Sequence, residues 1–118
     1  MDKEIDLSYL RAIASDSNEF MIEMIDLFLG QTPEYFHQLQ EATDHQSWKE
    51  VASLAHKIKP TLAFMGSNSA RETMAGIEMN ARNLESLDTI GATFDALHAY
   101  SLNLFAQLRI ARENLPRD

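Results

Sequence analysis

The sequence predicts an all-α protein: an antiparallel up-and-down four-helix bundle with a short extra helix at its N-terminus. Three observations carry that prediction. Apolar residues recur at three- and four-residue steps through four long stretches, the signature of helices that each bury one stripe. Four Gly and three Pro among 118 residues leave little material for a turn-rich β fold. The polar links between stretches are short, which makes successive helices antiparallel neighbours. There is no strand alternation, internal repeat or low-complexity run. Residues 1–118 read as a single domain. A chain of this length buries about two thirds of its extended-chain surface, enough for a self-supporting core.

The elements follow in order. Residues 7–13 form a short apolar segment in which Leu7, Leu10 and Ile13 share a face; a brief helix across one end of the bundle is expected. Ser15-Asp16-Ser17-Asn18 breaks it, and Ser17 is placed to cap the next helix. That helix runs to Ala42, with Met21, Met24, Ile25, Phe28, Tyr35, Phe36 and Leu39 as its buried stripe. Pro33 lies inside it. It removes a donor and crowds the carbonyl four residues back, so a bend or short break is expected there, made easier by Gly30. After the polar link 43–46, Ser47 caps a helix that Trp48 begins, the indole packing at the helix end. Gly66 closes this helix in a left-handed cap position. Ser67 or Asn68 caps the next helix, residues 69–84, whose core face is Ala70, Met74, Ile77 and Ala81. Ala75 and Gly76 allow a neighbour to approach closely. The last helix, residues 89–114, turns Phe94, Leu97, Ser101, Leu104, Phe105 and Leu108 inward, and residues 115–118 form a frayed end.

Composition bounds function. The net charge of −8 opposes nucleic-acid binding, which needs a cationic footprint for phosphates. It also opposes an anionic membrane surface; its plain meaning is solubility. No apolar run approaches the length of a membrane span. Residues 1–7 lack the apolar core of a signal peptide, and the absence of Cys fits a reducing compartment. A cytoplasmic protein is expected. No Gly-rich phosphate loop is present, so ATP binding is not expected.

The stretch that carries chemistry is VASLAHKIKPTLAFMG, residues 51–66. Val51, Leu54, Ala55, Ile58, Leu62 and Met65 form one stripe. At about 100° per residue, His56 lies about 140° from the centre of that stripe and points at water. Lys59, one turn on, can bring its ammonium beside the imidazole. Ala52, Pro60 and Ala63 fall on the same outward face, and Phe64 also faces outward, toward a partner or a neighbouring helix. Lys57 projects away from the pair, toward solvent or the rim of a contact. An exposed imidazole is nucleophilic near pH 7. With a lysine beside it and small residues around it, the ring stands on a surface where another protein could dock and reach it.

AHKIKPTLAFMG resembles the signature of the histidine phosphotransfer (HPt) domain family: Ala-His, any residue, an aliphatic, Lys, a small residue, and Gly ten positions after the His. Ala55, His56, Ile58, Lys59 and Gly66 match in place. SNEFMIEMIDLFLGQTPEYFHQLQEA looks like the family's first long helix, and IEMNAR, residues 77–82, like the helix after the motif. One position departs: Pro60 stands where the family usually has Gly. Proline is compact but stiff and frees the carbonyl of His56 from its helical bond, which bears on the efficiency of transfer more than on its existence. The resemblance implies a phosphorelay intermediate. His56, through Nε2, would accept a phosphoryl group from a receiver-domain aspartate and pass it to another receiver. Lys59 would stabilise the group in flight. Ala52, Lys57, Pro60, Ala63 and Phe64 would line the contact with response-regulator receiver domains, one of them within a hybrid sensor kinase. The chain would act as a monomer with no cofactor or metal of its own, magnesium being held by the receiver's acidic residues.

Two rivals remain at this point. HKIKPTL loosely resembles the His box of a sensor kinase's dimerisation helix, but Lys57 replaces the acidic residue after the His and Pro-Thr stands in reversed order. A phosphorylation-silent module that only docks receivers is the other, kept alive by Pro60. The Glu34–His37 and Asp95–His98 spacings echo di-metal bundles, yet Glu34, His37 and Asp95 fall on outer faces, and no metal site is expected.

Overall fold

The computed structural model describes residues 5–117. Residues 1–4 and 118, which hold most of the segment read for an export signal and the last residue of the expected frayed end, lie outside the described residues. Five helices follow one another: α1 Ser8–Ile13, α2 Asn18–Asp44, α3 Trp48–Phe64, α4 Asn68–Asn83 and α5 Leu87–Asn114. No strand occurs among the described residues. Each of the four long helices packs on its chain neighbours, and α5 closes back on α2. The extents of 47 × 22 × 20 Å match a bundle about as long as its longest helix, since 28 residues at 1.5 Å each span about 42 Å.

The helices form two unlike pairs. α2 and α5 have 27 and 28 residues, whereas α3 and α4 have 17 and 16. The long pair supplies the aromatic centre of the core. Phe36 meets Phe94 edge-on at 6.0 Å and Phe105 at 6.2 Å, and Phe105 meets Phe28 at 5.8 Å. The short pair contributes Val51, Ala55, Ile58, Leu62, Ala70, Met74, Ile77 and Ala81, all buried. Chain before α2 covers the end where α3 turns into α4. Leu10 is buried, Ile5 N–H donates to Gln107 Oε1 at 3.1 Å, and Asp6 N–H donates to the Gly66 carbonyl at 3.2 Å.

The links between the long helices pass through left-handed backbone at Gln46, Gly66, Leu84 and Ser86. Gly66 differs from the other three. Its φ is 88°, and a Cβ there would stand 2.7 Å from the Asp6 carbonyl oxygen. Glycine is therefore required twice over, by conformation and by the strand of chain lying against it. Ser17 caps α2 by accepting from Phe20 N–H at 3.2 Å, and Ser67 caps α4 by accepting from Ala70 N–H at 3.3 Å. Ser47 occupies the cap position of α3, but its side chain makes no capping bond.

Several expectations need correction. Of the bend or short break expected at Pro33, the break does not occur: α2 is continuous from Asn18 to Asp44. The ring sits on the exposed face, while Phe28, Phe36 and Leu39 on either side stay anchored in the core. Ile13 does not join Leu10 inside but is exposed, because a six-residue helix lies against the bundle along one line only. Leu115 is not frayed; it packs on the core. No helix among the described residues is long and apolar enough to cross a membrane.

Candidate functional site

The α3–α4 turn at Gly66–Ser67 sets the site. Two antiparallel helices leaving one tight turn bring residues equally far from it to the same height. His56, midway along α3, therefore stands level with Glu78 of α4. The imidazole is 68% exposed, and its Nδ1 lies 2.9 Å from Glu78 Oε2. Lys59, one turn nearer the hairpin, donates from Nζ to Glu78 Oε1 at 2.8 Å. Arg82, one turn beyond Glu78 on α4, donates to Oε2 at 2.8 Å. One carboxylate thus gathers three side chains, and it is itself only 11% exposed.

The charge state of Glu78 decides what His56 can do. Burial raises the carboxyl's pKa, but hydrogen bonds from Lys59, Arg82 and His56, with the charge of Lys59, outweigh it, and the net shift is below the ordinary 4.5. Glu78 is ionised at neutral pH and only accepts. The proton in the His56–Glu78 bond therefore belongs to Nδ1. A neutral imidazole with its proton on Nδ1 carries its lone pair on Nε2. The carboxylate fixes both the tautomer and the ring's orientation, and it can balance positive charge that develops on the ring.

The remaining predicted residues fall out as follows. Pro60 is exposed on the His56 side of α3, and Ala63 beside it is half-buried. Phe64 is half-buried and stacks on Tyr9 of α1 with ring centres 5.5 Å apart. Lys57 is exposed and holds its ammonium 4.3 Å from the centre of the Tyr35 ring on α2. Ala52 is a correction: it is 5% exposed, not outward. α3 is flanked by α2 on one side and α4 on the other, so its buried arc is wider than one stripe and reaches round to Ala52. Glu34, His37, Asp95 and His98 are all exposed, and His37 pairs with Glu41 at 3.0 Å.

Glu78 escaped the sequence reading. Its signals were an acidic residue directly beside the core position Ile77 and an Arg one turn on, a helix pairing ordinarily read as surface decoration.

The geometry meets an independent comparison here. Residues 23–109 match the family model of the Hpt domain. The chain belongs to the Hpt domain family. No curated protein and no solved structure gives a significant match. The matched region of this Hpt domain contains His56, Lys59, Glu78 and Arg82, and it excludes α1. Hpt domains serve histidine phosphotransfer in phosphorelays and interact with receiver domains.

Proposed function

We propose that this chain is a phosphorelay intermediate with His56 as the residue that carries the phosphoryl group. A receiver domain presents an aspartyl phosphate. The Nε2 lone pair of His56 attacks phosphorus in line, the N–P bond forms, and the P–O bond to the aspartate breaks with its electrons leaving on the carboxylate. The Nδ1 proton stays in its bond to Glu78, whose negative charge offsets the cationic ring. Transfer to the aspartate of a second receiver is the same step reversed. Lys59 releases or shares Glu78 Oε1 and donates to the phosphoryl oxygens as they pass. Proximity within the docked pair does much of the rest, and magnesium belongs to the receiver's acidic site.

The observation that carries this reading is the exposed imidazole whose Nδ1 is held by a buried carboxylate, leaving Nε2 as the nucleophilic nitrogen. Charge supports the choice of partner. Three of the four lysines of this acidic chain, Lys49, Lys57 and Lys59, lie on α3. Arg82 adds a fourth cation beside His56. A cationic face on an otherwise negative molecule suits a partner whose reactive pocket is acidic. Closure of four helices within one chain favours this reading over a fragment of a dimeric kinase. We infer a monomer that works in the cytoplasm between a hybrid sensor kinase and a separate response regulator.

The test is phosphoryl uptake from phosphorylated receiver domains. His56→Gln should take up no label and keep the helical spectrum of the parent. Label on the variant at the parent's level would remove His56 from the role.

A further inference from the structure

The chain has no Cys, so its oxidisable sulfur is all thioether. Of its six methionines, Met1 lies outside the described residues. Met21, Met65 and Met74 are buried, and Met24 is half-buried against the core. Met79 differs, being 58% exposed. Oxidation of methionine requires the oxidant to reach sulfur. Among the described residues, the sulfur open to it therefore stands on the outward face of α4.

That place adjoins the site. Met79 follows Glu78 in the chain and shares a cleft of about 260 Å³ with Glu78, Lys59 and Arg82. The two cations of the cleft both donate to Glu78, each at 2.8 Å. A thioether sulfur is a weak acceptor and does not compete with a carboxylate for them. A sulfoxide is different: its oxygen carries partial negative charge, and a polar group replaces an apolar one. Arg82 stands three residues on from Met79, within reach on the helix surface. The Lys59 ammonium enters the same cleft from α3.

We propose that Met79 is a modification site, at which a peroxide converts the thioether to a sulfoxide and thereby slows the relay. The sulfur lone pair attacks one peroxide oxygen. The S–O bond forms, the O–O bond breaks, and the departing hydroxide takes the proton of the transferred oxygen and leaves as water. Sulfur gives up an electron pair, and the peroxide is reduced. The sulfoxide oxygen then draws Arg82 or Lys59 away from Glu78. Either displacement disturbs the arrangement in which Lys59 meets the phosphoryl oxygens and Glu78 holds the His56 ring. A thiol-dependent sulfoxide reductase restores the thioether. The inference rests on the relay reading above.

The experiment treats the full chain with hydrogen peroxide at a dose that adds a single oxygen to most molecules, and removes the peroxide before a phosphorylated receiver domain is added. Peptide mass mapping should place the oxygen on Met79 ahead of the other methionines. Phosphoryl uptake should slow by about threefold or more, the scale of one lost hydrogen bond, and methionine sulfoxide reductase should restore it. Met79→Leu keeps an apolar side chain of similar volume. It should match the parent within about twofold before peroxide and hold that rate after the same dose. Oxygen appearing first on another methionine would overturn the inference. So would an oxidised chain that transfers at the parent's rate or slows only by losing helicity, or a Met79→Leu variant that slows as much as the parent under peroxide. A chain that takes up no label even before peroxide would overturn the relay reading, and this inference with it.

Discussion

The long pair α2–α5 and the short pair α3–α4 divide the labour of the molecule. The long pair holds the aromatic cluster Phe28, Phe36, Phe94 and Phe105. The short pair holds small and aliphatic residues inside and the His56–Glu78–Lys59–Arg82 network at its surface. The aromatic core lies in one pair and the proposed chemistry in the other. The difference shows how a buried acid can be kept in a small bundle: it sits where packing is done by small residues, at the margin of the core, and three donors satisfy it.

Substitutions that break one pair and spare the other test this division. The largest expected effect is at the aromatic centre. Phe36→Ala should cost about 3–5 kcal/mol of stability, read by denaturant unfolding, while His56 in the folded fraction keeps its capacity for phosphoryl uptake. Next is the turn between the short helices. Gly66→Ala places a Cβ against the Asp6 backbone and forces a left-handed alanine, at a cost of about 1–2 kcal/mol. Because the turn sets the level of His56 against Glu78, this variant should also slow transfer, as Phe36→Ala should not. The smallest effect on folding is at Glu78. Glu78→Gln keeps an acceptor for the imidazole but loses the charge that Lys59 and Arg82 pair with, so transfer should slow while the melting temperature at neutral pH falls by less than in the other two variants.

The same residue gives a pH signature. Glu78 has a folded pKa below the ordinary 4.5, so its contribution to stability is complete above the unfolded value and is lost as pH falls through the folded value. Below about pH 4.5, the parent should lose stability more steeply than Glu78→Gln. Parallel pH curves would show that the carboxylate's three bonds contribute nothing net to folding.

Much of the fold was legible in the sequence because stripes report burial directly. The inward faces read for α4 and α5 are buried as expected, from Ala70 through Ala81 and from Phe94 through Leu108. What stayed hidden depended on neighbours that a stripe does not encode. Ala52 reads as outward on a helical wheel, but helices on both flanks of α3 enclose it. Tyr35 and Met24 sit at the edge of the core, half-buried, while Ile22 and Thr32 go inside. Left-handed turns at Gln46 and Leu84 carry no Gly to announce them, because open space around them tolerates a side chain; only Gly66, pressed by Asp6, had to declare itself. At the site, His56 and Lys59 share a helix and could be related by spacing alone. Glu78 joins them only through the hairpin, and a carboxylate shared across two helices leaves no local pattern.

The central claim is that Glu78 holds the His56 proton on Nδ1 and leaves Nε2 to carry the phosphoryl group. Nitrogen-15 NMR of the labelled chain, recorded before and after phosphorylation by a receiver domain, tests it directly. The account predicts a His56 ring protonated on Nδ1 before transfer and bonded to phosphorus at Nε2 afterwards. Phosphorus on Nδ1, or on any side chain other than His56, would contradict it.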